Sequence, residues 1–238
     1  MIRKYIPDAI TSLNLLSGAV AIVFAFKGRI DVAFPLMLLS AVFDFCDGLA
    51  ARALGAYSDL GKELDSLADL VSFGVLPSVM LYNIMLTCTF GESIWCWTPL
   101  VIAVFSGIRL AKFNVDKRQL SSFLGLPTPA CAMICGSLCY FVAFDPASFL
   151  CGWMSGTVFV PVLSVILSAL LVCELPMFSM KFHKDDPSDL KMKRIFFAAG
   201  ALVCAATVAI CGLNWSLAVL LTFVVYVLMN VVFAVFRV

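Results

Sequence analysis

Charge is what this sequence has least of. Only 13% of its 238 residues are Asp, Glu, Lys or Arg, against 63% hydrophobic ones, and the mean hydropathy is +1.05. Soluble domains carry about 25% charged and about 45–50% apolar residues. There is too little polar surface here to solvate a folded particle, which excludes a soluble enzyme, a nucleic-acid-binding domain and a disordered chain. A net charge of +1 gives no bulk field that would select a partner. Histidine is nearly missing: the one copy, His183, falls in a polar loop and reads as a solvated bystander. Cysteine is plentiful, with ten copies, but no Cys-x-x-Cys pair occurs. Cys131, Cys135 and Cys139 recur every four residues on one helix face, as small apolar packing residues do. No small-residue cleavage site follows the first apolar run behind Arg3 and Lys4, so a removable leader is not expected.

What the chain does have is long apolar runs. A bilayer-spanning helix needs roughly 20 mostly apolar residues. Eight stretches qualify, at about 9–26, 31–53, 63–87, 97–114, 125–144, 148–173, 194–212 and 215–236. The expectation is one all-α, membrane-embedded domain over 1–238, a polytopic bundle of about eight spans, with six also compatible. Of the 16 Lys and Arg, all but Lys27 and Arg29 fall on one side if the N-terminus is cytoplasmic. The excess of Lys and Arg in cytoplasmic loops then puts both termini inside. The cluster from Lys181 to Arg194 reads as topology and contact with anionic lipid.

The second and third spans break the apolar rule with Asp44, Asp47, Asp65 and Asp69. An Asp at the centre of a membrane helix costs about 2.5–3.5 kcal/mol on an insertion scale, and mutual repulsion adds to that. Asp44 and Asp47 are three apart and Asp65 and Asp69 four apart, so each pair shares a helix face. A turn of about eight residues makes the two helices antiparallel neighbours, with both pairs near one membrane face. Converging carboxylates without His or thiolate suit a hard cation, Mg²⁺ or Mn²⁺. Gly48, Ala51 and Gly61 clear space beside them, and Arg52 offers a fork suited to phosphate. Transport of a proton or divalent cation is the competing use of such carboxylates, although a fixed Arg52 opposes metal entry.

The ordered set reads Asp44-x-x-Asp47-Gly48-x-x-Ala51-Arg52, eight residues, Gly61, three residues, Asp65, three residues, Asp69. It resembles the signature of the CDP-alcohol phosphatidyltransferases at every defining position. That resemblance implies an integral membrane enzyme that moves a phosphatidyl-type group from a CDP-linked donor to an alcohol and releases CMP. It implies two divalent metal ions held by Asp44, Asp47 and Asp65, with Asp69 as general base and further contact to the second metal. It places Gly48, Arg52 and Ser58 on the CDP donor, with Ala51 and Gly61 giving room; as a loop residue Ser58 could equally cap the next helix. Homodimerisation and a bacterial cytoplasmic membrane, with the site facing the cytoplasm, are also implied.

The alcohol needs other evidence. The stretches PDAITSLNLLSG (7–18), LDSLADLVSFGVLP (64–77), RLAKFN (109–114) and GLPTPA (125–130) are similar to the membrane-type bacterial phosphatidylserine synthases. They imply CDP-diacylglycerol and L-serine as substrates and an acceptor region at about 109–130. Arg109, Lys112 and Asn114 are the candidate acceptor residues, since Arg can hold a carboxylate with two hydrogen bonds; as positive anchors at a membrane face, the two cations have a plain alternative. Glycerol 3-phosphate or inositol phosphate remains open as acceptor. Beyond about residue 130 the spans are generically apolar and add nothing to the resemblance.

Overall fold

The computed structural model describes residues 5–88, 93–116, 123–178 and 188–236. His183, Arg3, Lys4, Lys117, Arg118, Lys181, Lys184 and Arg237 lie outside these, as do the predicted connectors around Gly91 and Asp185.

The described chain is almost entirely helical, as the apolar runs require: backbone polar groups inside a bilayer must be satisfied within their own segment. The helices are α1 (Ile6–Phe26), α2 (Ile30–Leu54), α3 (Asp59–Asp69), α4 (Leu76–Cys88), α5 (Leu100–Val115), α6 (Thr128–Phe144), α7 (Phe149–Met154), α8 (Phe159–Val172), α9 (Ser188–Ile210) and α10 (Trp215–Phe236). A π-helical turn, Leu70–Val75, joins α3 to α4, so Asp59–Cys88 runs as one rod. A 3₁₀ turn, Ile94–Trp97, leads into α5.

Six stretches among the described residues are long and apolar enough to cross a membrane: Ile6–Phe26, Ile30–Leu54, Asp59–Cys88, Ile94–Val115, Lys191–Ile210 and Trp215–Ala234. The other two expected segments are shorter. Thr128–Phe144 makes a helix of 17 residues. The run at 148–173 is not one helix: it breaks at Ser155 and Gly156, whose N–H groups close turns on the carbonyls of Cys151 and Trp153 at 2.9 and 3.2 Å. The α2–α3 turn is also tighter than expected, spanning 55–58 only. Gly55, with φ of 59°, ends α2 in the left-handed conformation that glycine adopts at least cost.

Helix α6 is the centre of the bundle. Most of its side chains are buried, Cys131, Cys135 and Cys139 among them, and it packs against α2, α4 and α10. All ten cysteines are free thiols, and the three on α6 serve as packing. On the other side α1 lies along α2 and also touches α3, α4 and the π turn.

Two short strands complete the fold. β1 (Phe123–Leu124) pairs antiparallel with β2 (Pro176–Met177), Leu124 opposite Pro176. Gly125 follows with φ of +77°, and a Cβ there would lie 2.7 Å from the Leu171 carbonyl oxygen and 2.8 Å from that of Cys173. Gly125→Ala therefore combines left-handed strain with a backbone clash and is expected to cost about 2–4 kcal/mol. Thermal unfolding of the purified protein checks this, and an unchanged Tm would contradict it.

Candidate active site

The four carboxylates of the sequence motif come from two consecutive helices. Asp44 and Asp47 sit in the last three turns of α2, where Asp47 is buried and Asp44 half-buried. Asp65 and Asp69 lie one turn apart on α3, the latter as its final residue before the π turn. One oxygen from each of Asp44, Asp47 and Asp65 lies within 4.8 Å of the others. Mg²⁺ binds oxygen at about 2.0–2.1 Å, which places its ligand oxygens about 3–4 Å apart, so the trio is gathered closely enough for small side-chain adjustments to complete such a shell. The three residues thus fit a divalent ion on geometry and donor chemistry alike. Asp69 is not one of that trio. It lies within electrostatic reach of Asp44, Asp65 and Asp47 and accepts a long hydrogen bond of 3.4 Å from Asn14 Nδ2.

Helix α1 supplies partners that the motif reading did not include. Thr11 Oγ1 donates to Asp47 Oδ2 at 2.6 Å. The Asn14 carbonyl accepts from Ser40 Oγ at 3.3 Å and Ser72 Oγ at 3.2 Å, which fixes α1 between α2 and the π turn. Gly18 makes the approach possible, since a side chain there would run into Ser72. The buried face of α1 reads Pro7, Thr11, Asn14, Ser17, Gly18, Ala21, Ala25, small or polar at helical spacing, and that pattern was the available signal.

Two clefts flank the carboxylates. The first, of about 220 Å³, is lined by Thr11, Asp47, Gly48, Ala51, Arg52, Ser58, Gly61, Lys62 and Asp65 among others. It collects every residue assigned to the CDP donor. Arg52 is exposed, and its guanidinium passes over Gly48, 3.5 Å from where a Cβ would stand. Ser58 caps α3, accepting from the Gly61 N–H at 2.9 Å, and also lines the cleft. The room at Gly61 is taken by a neighbour, for a Cβ there would lie 2.7 Å from Asp8 Oδ1.

The second cleft, of about 270 Å³, is lined by Asp44, Lys62, Asp65, Ser66, Asp69, Arg109, Asn114, Phe178 and Tyr226 among others. Arg109 is 7% exposed and donates from Nη1 to Thr128 Oγ1 at 3.1 Å. Its Nε is buried with no hydrogen-bond partner among the described residues. Asn114 spends its side chain internally, donating to Ser66 Oγ at 2.9 Å, while its carbonyl accepts from Lys62 Nζ at 2.9 Å. Lys112 is not in this cleft. It is exposed and lines an adjoining space with Arg109, Asp116 and Glu174. Phe178 and Tyr226, far along the chain, were not among the predicted residues.

With that geometry in place, comparison with known proteins is informative. Residues 4–173 match the CDP-alcohol phosphatidyltransferase family. The chain is 40% identical over 130 residues to the CDP-diacylglycerol–serine O-phosphatidyltransferase of Bacillus subtilis (strain 168), covering 55% of this chain and 72% of that one. It is 34% identical over 218 residues to the Mycobacterium leprae protein of the same name, covering 86% and 67%. An archaetidylserine synthase from Methanothermobacter thermautotrophicus is 36% identical over 142 residues, covering 58% and 59%. A match across most of the chain, with the motif carboxylates gathered at one point, leaves no doubt about descent: the chain belongs to the CDP-alcohol phosphatidyltransferase family.

Proposed function

We propose that this protein transfers the phosphatidyl group of CDP-diacylglycerol to the hydroxyl of L-serine, giving phosphatidylserine and CMP, with two Mg²⁺ or Mn²⁺ ions as cofactors. The observation that carries this reading is the meeting of two clefts at the carboxylates, with Asp65 and Lys62 on the wall of both. A donor in one and an alcohol in the other would react across Asp65. The serine names of the relatives support the choice of acceptor.

Asp44, Asp47 and Asp65 would hold the metals, with Asp69 adding a contact to the second. Metal ions so held supply charge neutralisation on a pyrophosphate and its leaving group. Arg52 binds donor phosphate, Gly48 and Ala51 leave room for the nucleotide, and Ser58 and Gly61 shape the cleft wall. Asp69 takes the proton of the serine hydroxyl. The hydroxyl oxygen forms a bond to phosphorus as the bond to CMP breaks, and no protein nucleophile takes part.

Arg109 receives the serine carboxylate. Its buried Nε, without a partner, is the kind of donor that a ligand completes. The cleft offers two cations, Lys62 and Arg109, beside Asp44, Asp65 and Asp69. That balance favours an acceptor with one negative charge over a phosphorylated alcohol, whose second charge would face carboxylates. Asn114 braces the pocket through Ser66, and Lys112 draws anions toward its mouth. Arg52, Lys62, Arg109 and Lys112 line the clefts around the carboxylates, whereas Lys27 and Arg29 lie at the far end between α1 and α2; that asymmetry supports a cytoplasmic orientation, and a homodimer is the assembly that family resemblance implies.

The test is CMP release by purified protein with CDP-diacylglycerol and Mn²⁺ or Mg²⁺, comparing L-serine, glycerol 3-phosphate and inositol phosphate. Serine-dependent release is expected. Release with another alcohol alone would overturn the acceptor and keep the family chemistry.

A further inference from the structure

The C-terminal helix α10 lies outside the family-matched region 4–173 and reads from its sequence as a plain apolar span. Two of its buried polar side chains are nonetheless committed to one target. Asn230 Oδ1 accepts from the Phe178 N–H at 2.9 Å, and the Tyr226 hydroxyl donates to the Phe178 carbonyl at 3.0 Å. Both main-chain groups of Phe178 are therefore held by side chains of one helix. Asn230 Nδ2 donates in turn to the Tyr226 carbonyl at 2.8 Å, which fixes its amide orientation. Asn230 is 2% exposed and Tyr226 1%. The ring of Tyr226 packs edge-on against Phe178, with centroids 5.1 Å apart, and Phe197 of α9 closes the trio at 5.6 Å from Tyr226.

The held residue matters because of where it is. Phe178 and Tyr226 line the second cleft together with Asp69 and Arg109. Phe178 follows β2, which pairs with β1. The Gly125 and Leu126 N–H groups, just beyond β1, donate to the carbonyls of Leu175 and Leu170 at 2.9 and 2.8 Å. Three residues later Thr128 receives Arg109. A path of hydrogen bonds joined by short chain segments thus runs from α10 through Phe178, β2 and β1 to the buried guanidinium.

We propose that Asn230 and Tyr226 are positioning residues for the acceptor: by clamping the Phe178 backbone they set the size of the acceptor cleft and the place of Arg109. The donor cleft shares no residue with this clamp. A span with no motif of its own would then help decide which alcohol reacts. This rests on the acceptor lying in the second cleft, as proposed above.

The experiment is steady-state CMP release by full-length Asn230→Leu and Tyr226→Phe, varying serine and CDP-diacylglycerol separately. Asn230→Leu strands a buried N–H, a loss that corresponds to about a tenfold change in KM for serine. Tyr226→Phe keeps the ring and is expected to raise it about threefold. The KM for CDP-diacylglycerol and the Mn²⁺ dependence stay within about twofold for both. A merely structural role would lower kcat or raise both KM values together, and either result overturns the proposal, as does an unchanged serine KM. If Asn230→Leu fails to fold, Tyr226→Phe decides alone. Where the wild type uses a different alcohol, the serine reading falls and the same split is read with that alcohol.

Discussion

Asp65→Asn is expected to abolish metal-dependent CMP release, by about 10³-fold or more, and to remove the metal itself. The magnitude follows from asking a divalent ion for several kcal/mol of charge stabilisation, with each 1.36 kcal/mol worth tenfold in rate. Activity alone would not separate this from misfolding, but stability does, because the two explanations differ in sign. Four carboxylates on two adjoining helices repel one another, so removing one charge leaves the metal-free protein as stable as the wild type or more so. A bound ion adds RT ln(1 + [L]/Kd), about 2.7 kcal/mol at a hundred times Kd. The expected pattern is a wild-type Tm that climbs with Mn²⁺ and a variant Tm that starts no lower and stays flat. Asp44→Asn should behave alike, since its oxygen belongs to the same trio. A variant that still gains stability from Mn²⁺ would show that the trio is not the metal site.

These carboxylates were legible because membranes make acidic residues expensive. An apolar run tolerates four Asp only if something repays them, and their spacing of three and four then says which faces converge. The same logic failed for Thr11 and Asn14. Each is uncharged, and although the small or polar face of α1 marks them as inward, their partners Asp47 and Asp69 lie 36 and 55 residues away, where no local pattern points. The π turn at Leu70–Val75 was equally invisible, since a one-residue change of register leaves no mark in composition. It changes what can face what, and Ser72 within it meets the α1 backbone at the Asn14 carbonyl. Asn230 and Tyr226 were hidden for a different reason: α10 is predominantly apolar, and only the fold shows that these two polar side chains meet the backbone of Phe178.

Asp69→Asn is expected to lower kcat by about 10²–10⁴-fold, the usual range for a positioned general base, with the KM for CDP-diacylglycerol within a few-fold of wild type. The substitution is close to isosteric, and the new amide oxygen can still accept from Asn14 Nδ2, which now reaches Asp69 at 3.4 Å. What it cannot do is take a proton. The mutually close oxygens are those of Asp44, Asp47 and Asp65, so the main ligand set persists, and the donor cleft, which Asp69 does not line, keeps its shape. Loss of turnover with retained donor binding and a retained Mn²⁺-induced rise in Tm is the signature of a missing base. Loss of the Tm response would instead make Asp69 chiefly a ligand, and a variant keeping more than about a tenth of its turnover would move the proton-accepting role to another group. The comparison with Asp65→Asn is what gives the result its force: two carboxylates one helical turn apart, both on the second cleft, are expected to fail for different reasons that a single titration with Mn²⁺ can tell apart.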